Sequence, residues 1–333
     1  MSESATQDSL TGRVEETLRA GAPGLGVDHI VSVERLTTGL SSKSYRICAE
    51  TTQGPATWVM RVEPKHGVIP PYDIPREYHL LAEMGEAGLP VPEVLHIERD
   101  AAAVGGRFML MSFVEGEVYR SSDARLVEDQ ELRTSMQSQF VETLARIHET
   151  PQTVLPPFSD GPTAARAQVA TCRRRLAETA LLPNPFLRHI LNVLDECAPQ
   201  AQRLVLLHRD YRLPNLMWRD GKIEGILDWE LAAVGDPLCD VAFTQTVGAG
   251  PCSIHGDLAD QYSQLTGVEM DERRMSYCRL LEMTKSLIIG AASAYDLAHG
   301  GSDLRPLSVA ALSSAGQPML AALEEQLEEF LEA

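Results

Sequence analysis

The fold is decided by the stretch His208-Arg-Asp-Tyr-Arg-Leu-Pro-Asn215, which follows the short apolar run 204–207. Two further apolar runs come next, at 216–218 and 223–227, and an Asp-Gly pair separates them. An Asp-Gly pair between two apolar runs is a strong signal for a β-hairpin. We therefore predict a strand, a polar loop and a tight hairpin in this region.

The predicted hairpin brings three oxygen-bearing side chains together. If the Asp-Gly pair forms the turn, Asn215 faces Ile226. Asp228 then lies one diagonal step away, about 7–8 Å across the ladder. Asp210 stands in the loop at the same end of the hairpin. Two carboxylates and one amide oxygen are therefore expected to converge.

This set of groups suits phosphoryl transfer. Mg²⁺ prefers hard oxygen ligands, usually one or two protein carboxylates completed by water and phosphate. A carboxylate that is not bound to metal can accept the proton of an attacking hydroxyl. Protein kinases use the pattern H-x-D-x-x-x-x-N followed by a metal-binding Asp. Here Asp228 follows Asn215 at about the kinase spacing.

We call residues 204–240 the island. The sequence upstream of the island predicts a small β-rich region. Five short runs are rich in β-branched or aromatic residues, and they occupy 30–33, 44–48, 57–62, 94–97 and 108–114. Helical segments are predicted at 8–20 and 74–84, and from about residue 124 the chain is mainly helical. We expect an α+β protein with a helical extension, an antiparallel N-terminal lobe and a larger helical C-terminal lobe. The expected boundaries are 1–24, 25–116 and 117–333.

Composition limits the classes of partner. The chain has 333 residues, and its 29 basic and 47 acidic residues give a formal net charge of −18. Such a field repels phosphate backbones and anionic lipid, so we expect neither nucleic acid nor a membrane surface as a partner. A cationic small molecule would be attracted.

Cysteine usage and the absence of long apolar runs indicate the cellular compartment. Six scattered cysteines without a C-x-x-C pair indicate core residues in a reducing compartment. The polar N-terminus predicts no signal peptide, and no apolar run approaches the about 20 residues of a membrane span. We expect a cytoplasmic protein.

Three segments of the island resemble a known family. The stretches 207–217, 225–232 and 235–240 resemble the aminoglycoside phosphotransferase and choline kinase-like family. The resemblance implies a bilobal protein kinase-like fold, ATP and Mg²⁺ as cosubstrates, and phosphorylation of a hydroxyl on a small molecule. Carried over position by position, it implies that Asp210 is the catalytic base and that Asn215 and Asp228 are metal ligands.

The resemblance also implies a loop over the nucleotide phosphates. The segment Thr38-Gly-Leu-Ser-Ser-Lys43 stands in that position, although Gly39 is its only glycine. Its backbone amides, with those of Ser41 and Ser42, could hold phosphate oxygens. The alternative is an ordinary hairpin turn.

A cation for the phosphates is expected on the third strand. Arg61 stands where kinases carry a lysine, and a guanidinium can hold phosphate oxygens bidentately. Glu77, early in the following helix, would pair with Arg61. The alternative is that both are solvated surface residues. Lys65 is a weaker substitute because it follows Pro64.

The last strand of this region would lead into a hinge. By the resemblance, the backbone of the segment from Met111 to Val114, including Phe113, contacts adenine. His208 is expected to pack and hold the catalytic loop, and Asp240 to hydrogen-bond backbone groups. Arg209 is assigned no role.

Two other functions stay open. One is a catalytically silent nucleotide-binding protein, and the other is a metal-dependent hydrolase that uses Asp210 and Asp228 as ligands. If the protein is a kinase, its acceptor could be either an aminoglycoside-like antibiotic or a hydroxylated metabolite such as a hydroxyacyl thioester.

Overall fold

The computed structural model describes residues 3–36, 43–64, 72–120, 122–178, 185–247, 257–298 and 316–332. The chain divides into two compact units, Met1–Glu115 and Gly116–Ala333. The described part of the first unit carries a β-sheet and two α-helices, and that of the second is mainly helical. The secondary structure is α+β, as predicted.

The first unit is built on an antiparallel sheet. Its described strands are β1 (Val27–Leu36), β2 (Lys43–Thr51), β3 (Gly54–Val62), β4 (Val94–Glu98) and β5 (Phe108–Ser112). They lie in the order β1-β2-β3-β5-β4, and each neighbouring pair is antiparallel. The β2–β3 hairpin closes where Thr51 pairs with Gly54, whose φ of 113° favours a glycine.

Two helices accompany this sheet, α1 (Glu3–Gly21) and α2 (Ile74–Glu86). Val14 and Leu18, one turn apart on α1, are fully buried in a core cluster with residues of the strands. The α2 helix begins after Asp73, whose carboxylate accepts the backbone N–H of Arg76 at 3.1 Å and so caps the helix. The strand predicted over 108–114 ends two residues earlier, at Ser112.

Several helices of the second unit pack against α9. The described helices are α3 (Ala124–Glu128), α4 (Gln130–Glu149), α5 (Gly161–Glu178), α6 (Pro185–Glu196), α7 (Leu238–Thr246), α8 (Leu258–Thr266), α9 (Glu272–Ala298) and α10 (Gly316–Glu332). The α9 helix contacts α5, α6, α7 and α10. None of the helices in the described ranges combines the length and the apolar character that a membrane span requires.

Two small sheets interrupt the helices of the second unit. Strand β6 (Val205–Leu207) pairs with β9 (Ala233–Gly235), and β7 (Leu216–Arg219) pairs with β8 (Lys222–Ile226). The β7–β8 turn is the predicted Asp-Gly pair, because φ is 51° at Asp220 and 74° at Gly221. Positive φ at both central residues is what a tight two-residue hairpin turn requires.

The register of this hairpin differs from the prediction by one residue. Leu216, not Asn215, pairs with Ile226. The ladder shifts between Met217, opposite Gly225, and Trp218, opposite Ile223, so Glu224 is an extra residue on β8. Such a bulge bends the strand and resets the pairing beyond it. Asn215 therefore lies opposite the residue that precedes Asp228.

Candidate active site

The loop after β6 is closed by the side chain of Asn215. Its Nδ2 donates to carboxylate Oδ2 of Asp210 at 2.7 Å and to the backbone carbonyl of Asp210 at 2.8 Å. Asn215 ends the short 3-10 helix Leu213–Asn215, in which the ring of Pro214 fixes φ. The predicted base and one predicted metal ligand are thus in direct contact.

Leu227 joins this loop to the end of the hairpin. Its backbone N–H donates to the carbonyl of Asn215 at 2.8 Å, and its own carbonyl lies 3.0 Å from Nε2 of His208. The other ring nitrogen of His208 accepts the backbone N–H of Asp210 at 3.2 Å. Because the backbone N–H of Asp210 can only donate, Nδ1 must be the unprotonated ring nitrogen. In the neutral ring the proton is therefore on Nε2, which donates it to the carbonyl of Leu227. These bonds fix the chain directly before Asp228 against the Asp210 loop.

His208 holds this arrangement from inside the unit. The side chain is fully buried, and its ring centroid lies 4.6 Å from that of Trp229 and 5.9 Å from that of Tyr211. Burial lowers the pKa of His208, which keeps the ring neutral. The contacts agree with the packing role expected from the sequence.

Two residues at this site have a left-handed backbone. The φ angle is 67° at Arg209 and 69° at Asp228. Residues other than glycine adopt this region infrequently, and such strained positions cluster at active sites and ligand-binding loops. The contacts around the loop must supply the free energy that keeps these two residues in place.

The carboxylate of Asp210 has both a positively charged neighbour, Arg212, and a negatively charged one, Asp228. Burial raises the pKa of Asp210, Arg212 opposes the rise, and the nearby carboxylate of Asp228 adds to it. Nε of Arg212 lies 2.9 Å from Oδ1 of Asp210. The two predicted carboxylates are therefore within electrostatic range of each other, and Arg212 forms an ion pair with Asp210.

The side-chain oxygen atoms at this site are of the kind that Mg²⁺ prefers as ligands. Both bonds from Asn215 to Asp210 use the N–H groups of the amide, which leaves its carbonyl oxygen as a possible ligand. Asp228 adds a carboxylate, and Mg²⁺ completes its shell with water and phosphate oxygens. Within the described residues no group of three or more His, Cys, Asp or Glu could hold a metal ion. The residues fit a metal shared with a phosphate ligand better than an all-protein cage.

Asp240, at the start of α7, anchors the loop from behind. Its Oδ2 accepts the backbone N–H of His208 at 2.8 Å, and its Oδ1 accepts that of Arg209 at 2.7 Å. Nε2 of His148 lies 3.1 Å from the same Oδ2. Burial alone would raise the pKa of Asp240, but the hydrogen bonds from His148 and the backbone hold it below its ordinary value. The backbone contacts predicted for Asp240 are confirmed.

In the first unit, Arg61 and Glu77 form a buried ion pair. Nη1 of Arg61 on β3 lies 3.1 Å from Oε1 of Glu77 on α2. Their exposed fractions are 6% and 4%, so the alternative of two solvated surface residues is wrong. The pair holds a guanidinium at a fixed place beside the sheet.

The other predicted nucleotide contacts of this unit are placed only in part. Met111 lies within β5, opposite Val59 on one side and Val94 on the other, so its backbone polar groups lie inside the sheet. Phe113 follows the end of the strand, and the guanidinium of Arg46 lies 5.0 Å from its ring centroid. The predicted phosphate-loop residues Gly39, Ser41 and Ser42 lie outside the described residues.

Comparison with known families identifies the chain. Residues 32–275 match the sequence model of the phosphotransferase enzyme family. The chain belongs to this family. This confirms the resemblance on which the site assignments were based.

The relatives of this phosphotransferase family member fall into two groups. The chain is 28% identical over 260 residues to acyl-CoA dehydrogenase family member 11 from Gallus gallus, covering 75% of this chain and 33% of that protein. It is 26% identical over 233 residues to an aminoglycoside 3'-phosphotransferase from Enterococcus faecalis, covering 63% of this chain and 78% of the relative. The chain thus spans about a third of the length of the first relative.

Solved structures of the family share the fold. A proposed aminoglycoside phosphotransferase from Ralstonia eutropha superposes with a TM-score of 0.68 at 19% identity, over 96% of this chain and 98% of that chain. A thermostable mutant of aminoglycoside phosphotransferase APH(4)-Ia, in a ternary complex with AMP-PNP and hygromycin B, gives 0.54 at 17% identity, over 87% and 99%. The α+β fold is therefore the predicted protein kinase-like fold.

The candidate site includes residues that sequence reasoning missed. Arg212 pairs with Asp210, and its signal was a cation two positions after that aspartate in the loop. Arg209 was assigned no role, yet its guanidinium is buried against Glu282. No sequence pattern links Arg209 to a residue so far along the chain.

Proposed function

We propose that the protein is an ATP- and Mg²⁺-dependent phosphotransferase that phosphorylates a hydroxyl group of a small molecule. The observation that carries the proposal is the contact between Asp210 and Asn215 at 2.7 Å, with Asp228 held beside them through Leu227. The candidate base and the two candidate metal ligands, all within residues 210–228, share one corner of the second unit.

The three candidate residues of the second unit have defined tasks in this proposal. Asp210 accepts a hydrogen bond from the substrate hydroxyl and orients its oxygen toward the γ-phosphorus of ATP. It takes the hydroxyl proton as that oxygen bonds to the γ-phosphorus and the bond from this phosphorus to the bridging oxygen breaks, so that ADP leaves. Asn215 holds the Asp210 carboxylate in place and, with Asp228, provides oxygen ligands for the metal. When bound, Mg²⁺ neutralises charge on the phosphate oxygens. Positioning and charge neutralisation supply most of the rate.

The first unit is proposed to bind the nucleotide. Arg61, fixed by Glu77, would contact phosphate oxygens bidentately. Backbone amides at Gly39, Ser41 and Ser42 would cover the phosphates. The segment from Met111 to Phe113 would contact adenine, and Phe113 is the better candidate because it follows the strand. A fold relative that binds AMP-PNP supports the choice of an adenine nucleotide.

Two classes of acceptor are supported by different observations. A net charge of −18 favours a cationic acceptor such as an aminoglycoside. The match to a third of an acyl-CoA dehydrogenase family member favours a hydroxylated acyl thioester, since regions joined in one chain commonly act on connected substrates. A screen of aminoglycosides, macrolides, choline-like amines and hydroxyacyl-CoA thioesters for acceptor-stimulated ADP release separates these classes.

The test of the catalytic assignment is Asp210→Asn on the acceptor found in that screen. Loss of a general base lowers kcat by about 10²–10⁴-fold, while the affinity for nucleotide is retained. The matched control is Asp220→Asn, the same chemical change in the exposed hairpin turn, where φ of 51° suits asparagine. We expect wild-type turnover from the control.

The alternatives give different results in this assay. A silent nucleotide-binding protein would bind ATP and release no ADP with any acceptor. A hydrolase would cleave non-nucleotide esters without ATP. An Asp210→Asn variant that keeps the wild-type kcat would refute the role of Asp210 as the base.

A further inference from the structure

Three charged side chains are buried directly behind the Asp210 loop. They are Arg209 from the loop and Glu282 and Lys285 from α9, with exposed fractions of 7%, 0% and 7%. Arg209 donates to Oε1 of Glu282 from Nε at 3.2 Å and from Nη2 at 2.7 Å. The ammonium group of Lys285 forms an ion pair with the other carboxylate oxygen of Glu282. We call these three residues the buried triad.

The buried triad also contacts the backbone next to the proposed base. Nζ of Lys285 donates to the carbonyl oxygen of Arg209 at 3.0 Å. That carbonyl belongs to the peptide unit between Arg209 and Asp210. The N–H of the same peptide unit donates to Nδ1 of His208 at 3.2 Å. Both polar atoms of the peptide that leads into Asp210 are therefore held, one by His208 and the other by Lys285.

Burying three charges here is costly in free energy. Burial and the neighbouring Arg209 lower the pKa of Lys285, while Glu282 opposes the change. An apolar cluster of similar volume is often as stable as a buried ion triad, or more stable. Arg209 also adopts a φ of 67°, where a glycine would be unstrained. Stability alone therefore gives no reason for these residue types at this place.

Geometry supplies such a reason. We propose that the buried triad positions Asp210: Glu282 holds Arg209 in its left-handed conformation, and Lys285 fixes the orientation of the Arg209–Asp210 peptide. The proposal rests on the proposed function, in which the carboxylate of Asp210 must meet the acceptor hydroxyl. Glu282 and Lys285 act through the loop and are positioning residues, not catalytic ones.

The experiment compares three proteins with wild type. Lys285→Met removes the bond to the carbonyl of Arg209. A triple variant, Arg209→Gly with Glu282→Leu and Lys285→Met, removes all three charges and relieves the strain. Thr284→Val is the matched control, because Thr284 is buried on the same helix and, among the described residues, its hydroxyl bonds to the carbonyl of Leu280 in that helix at 2.6 Å. Each protein is tested for stability in urea, steady-state kinetics, and hydrogen exchange of the Asp210 amide.

The triple variant separates positioning from stability. We expect it to unfold at about the wild-type urea concentration, since no charge is left buried without a partner. We expect its kcat, and that of Lys285→Met, to fall about 10–100-fold with KM for ATP nearly unchanged, because a displacement of about 1 Å at a reacting group costs that much. Hydrogen exchange of the Asp210 amide should be at least about tenfold faster in both variants. Thr284→Val should match wild type in all three measurements.

Two outcomes would overturn the proposal. One is a stable triple variant with wild-type kcat and wild-type exchange at Asp210, which would show that the buried triad has a structural role only. The other is hydrogen exchange of the Asp210 amide in Lys285→Met that is as slow as in wild type. If wild type transfers no phosphate to any acceptor, the proposed function fails, and the exchange measurement still decides whether the buried triad fixes the loop.

Discussion

Replacing Asp240 with asparagine tests the anchor of the catalytic loop. The substitution keeps the size of the side chain, but one of its two terminal atoms becomes an NH2 group. Oδ1 of Asp240 faces the backbone N–H of Arg209, and Oδ2 faces that of His208 and the ring of His148. Whichever way the new amide turns, at least one buried N–H loses its acceptor.

The magnitude follows from these contacts. A hydrogen bond to a charged group contributes about 1.5–3 kcal/mol, and a buried donor left without an acceptor costs about 1–3 kcal/mol. We expect Asp240→Asn to lower the free energy of unfolding by about 3 kcal/mol at neutral pH, within the range of about 3–5 kcal/mol for breaking a buried pair.

The effect of Asp240→Asn should depend on pH in a defined direction. The pKa of Asp240 in the folded protein is below its ordinary value. A carboxyl of this kind stabilises the fold above its unfolded pKa, and the contribution is lost as pH falls through the folded pKa. The difference in free energy of unfolding between wild type and Asp240→Asn should therefore have its full size at neutral pH and should become smaller below about pH 4.

Urea unfolding followed by tryptophan fluorescence measures this difference, because Trp218 and Trp229 are buried in the second unit. The matched control is Asp195→Asn, which removes a half-exposed carboxylate 3.4 Å from Arg173. Exposed pairs contribute about 0–1 kcal/mol, so the control should change little. If Asp240→Asn is within about 1 kcal/mol of wild type in free energy of unfolding, or if the difference persists unchanged in acid, Asp240 does not anchor the loop as described.

Two further changes test other parts of the fold. Arg61→Met removes the guanidinium partner of buried Glu77, so the free energy of unfolding should fall by about 3–5 kcal/mol and the affinity for ATP should weaken; unchanged values in urea unfolding and nucleotide titration would contradict the proposed contact. Gly116→Ala places a Cβ 2.7 Å from the carbonyl oxygen of Trp218 at a φ of 152°, so it should cost at least about 1 kcal/mol. Gly24→Ala, which meets no atom within 4 Å, is the control in the same urea assay, and equal effects from the two would count against this account.

Much of the fold was predictable because its signals are local. Short runs of β-branched and aromatic residues predicted the strands of the first unit, and turn residues predicted the Asp-Gly hairpin. The register error came from the bulge at Glu224, and a signal for it was present. Ile223 and Ile226 are both buried, yet a spacing of three residues would put them on opposite faces of a regular strand. Two buried isoleucines at an odd spacing therefore indicate an extra residue in the strand, which is the bulge.

The site could be predicted only where its residues are close in sequence. Asp210, Asn215 and Asp228 share one island, so motif spacing and turn geometry were sufficient to bring them together. Glu282 and Lys285 lie far along the chain, and two charges three positions apart on a helix usually face solvent. Only the packing of α9 against α7 and its neighbours buries them. Tertiary packing of this kind leaves no pattern in the local sequence.

The role of Asp228 as a metal ligand is tested by calorimetric titration of the non-hydrolysable nucleotide AMP-PNP, with and without Mg²⁺, into wild type and Asp228→Asn. We expect Mg²⁺ to strengthen nucleotide binding to wild type at least about tenfold and Asp228→Asn to lose this enhancement, since a carboxylate ligand becomes a neutral amide. The same enhancement by Mg²⁺ in both proteins would contradict the assignment of Asp228 as a metal ligand and, with it, the proposed chemistry of the site.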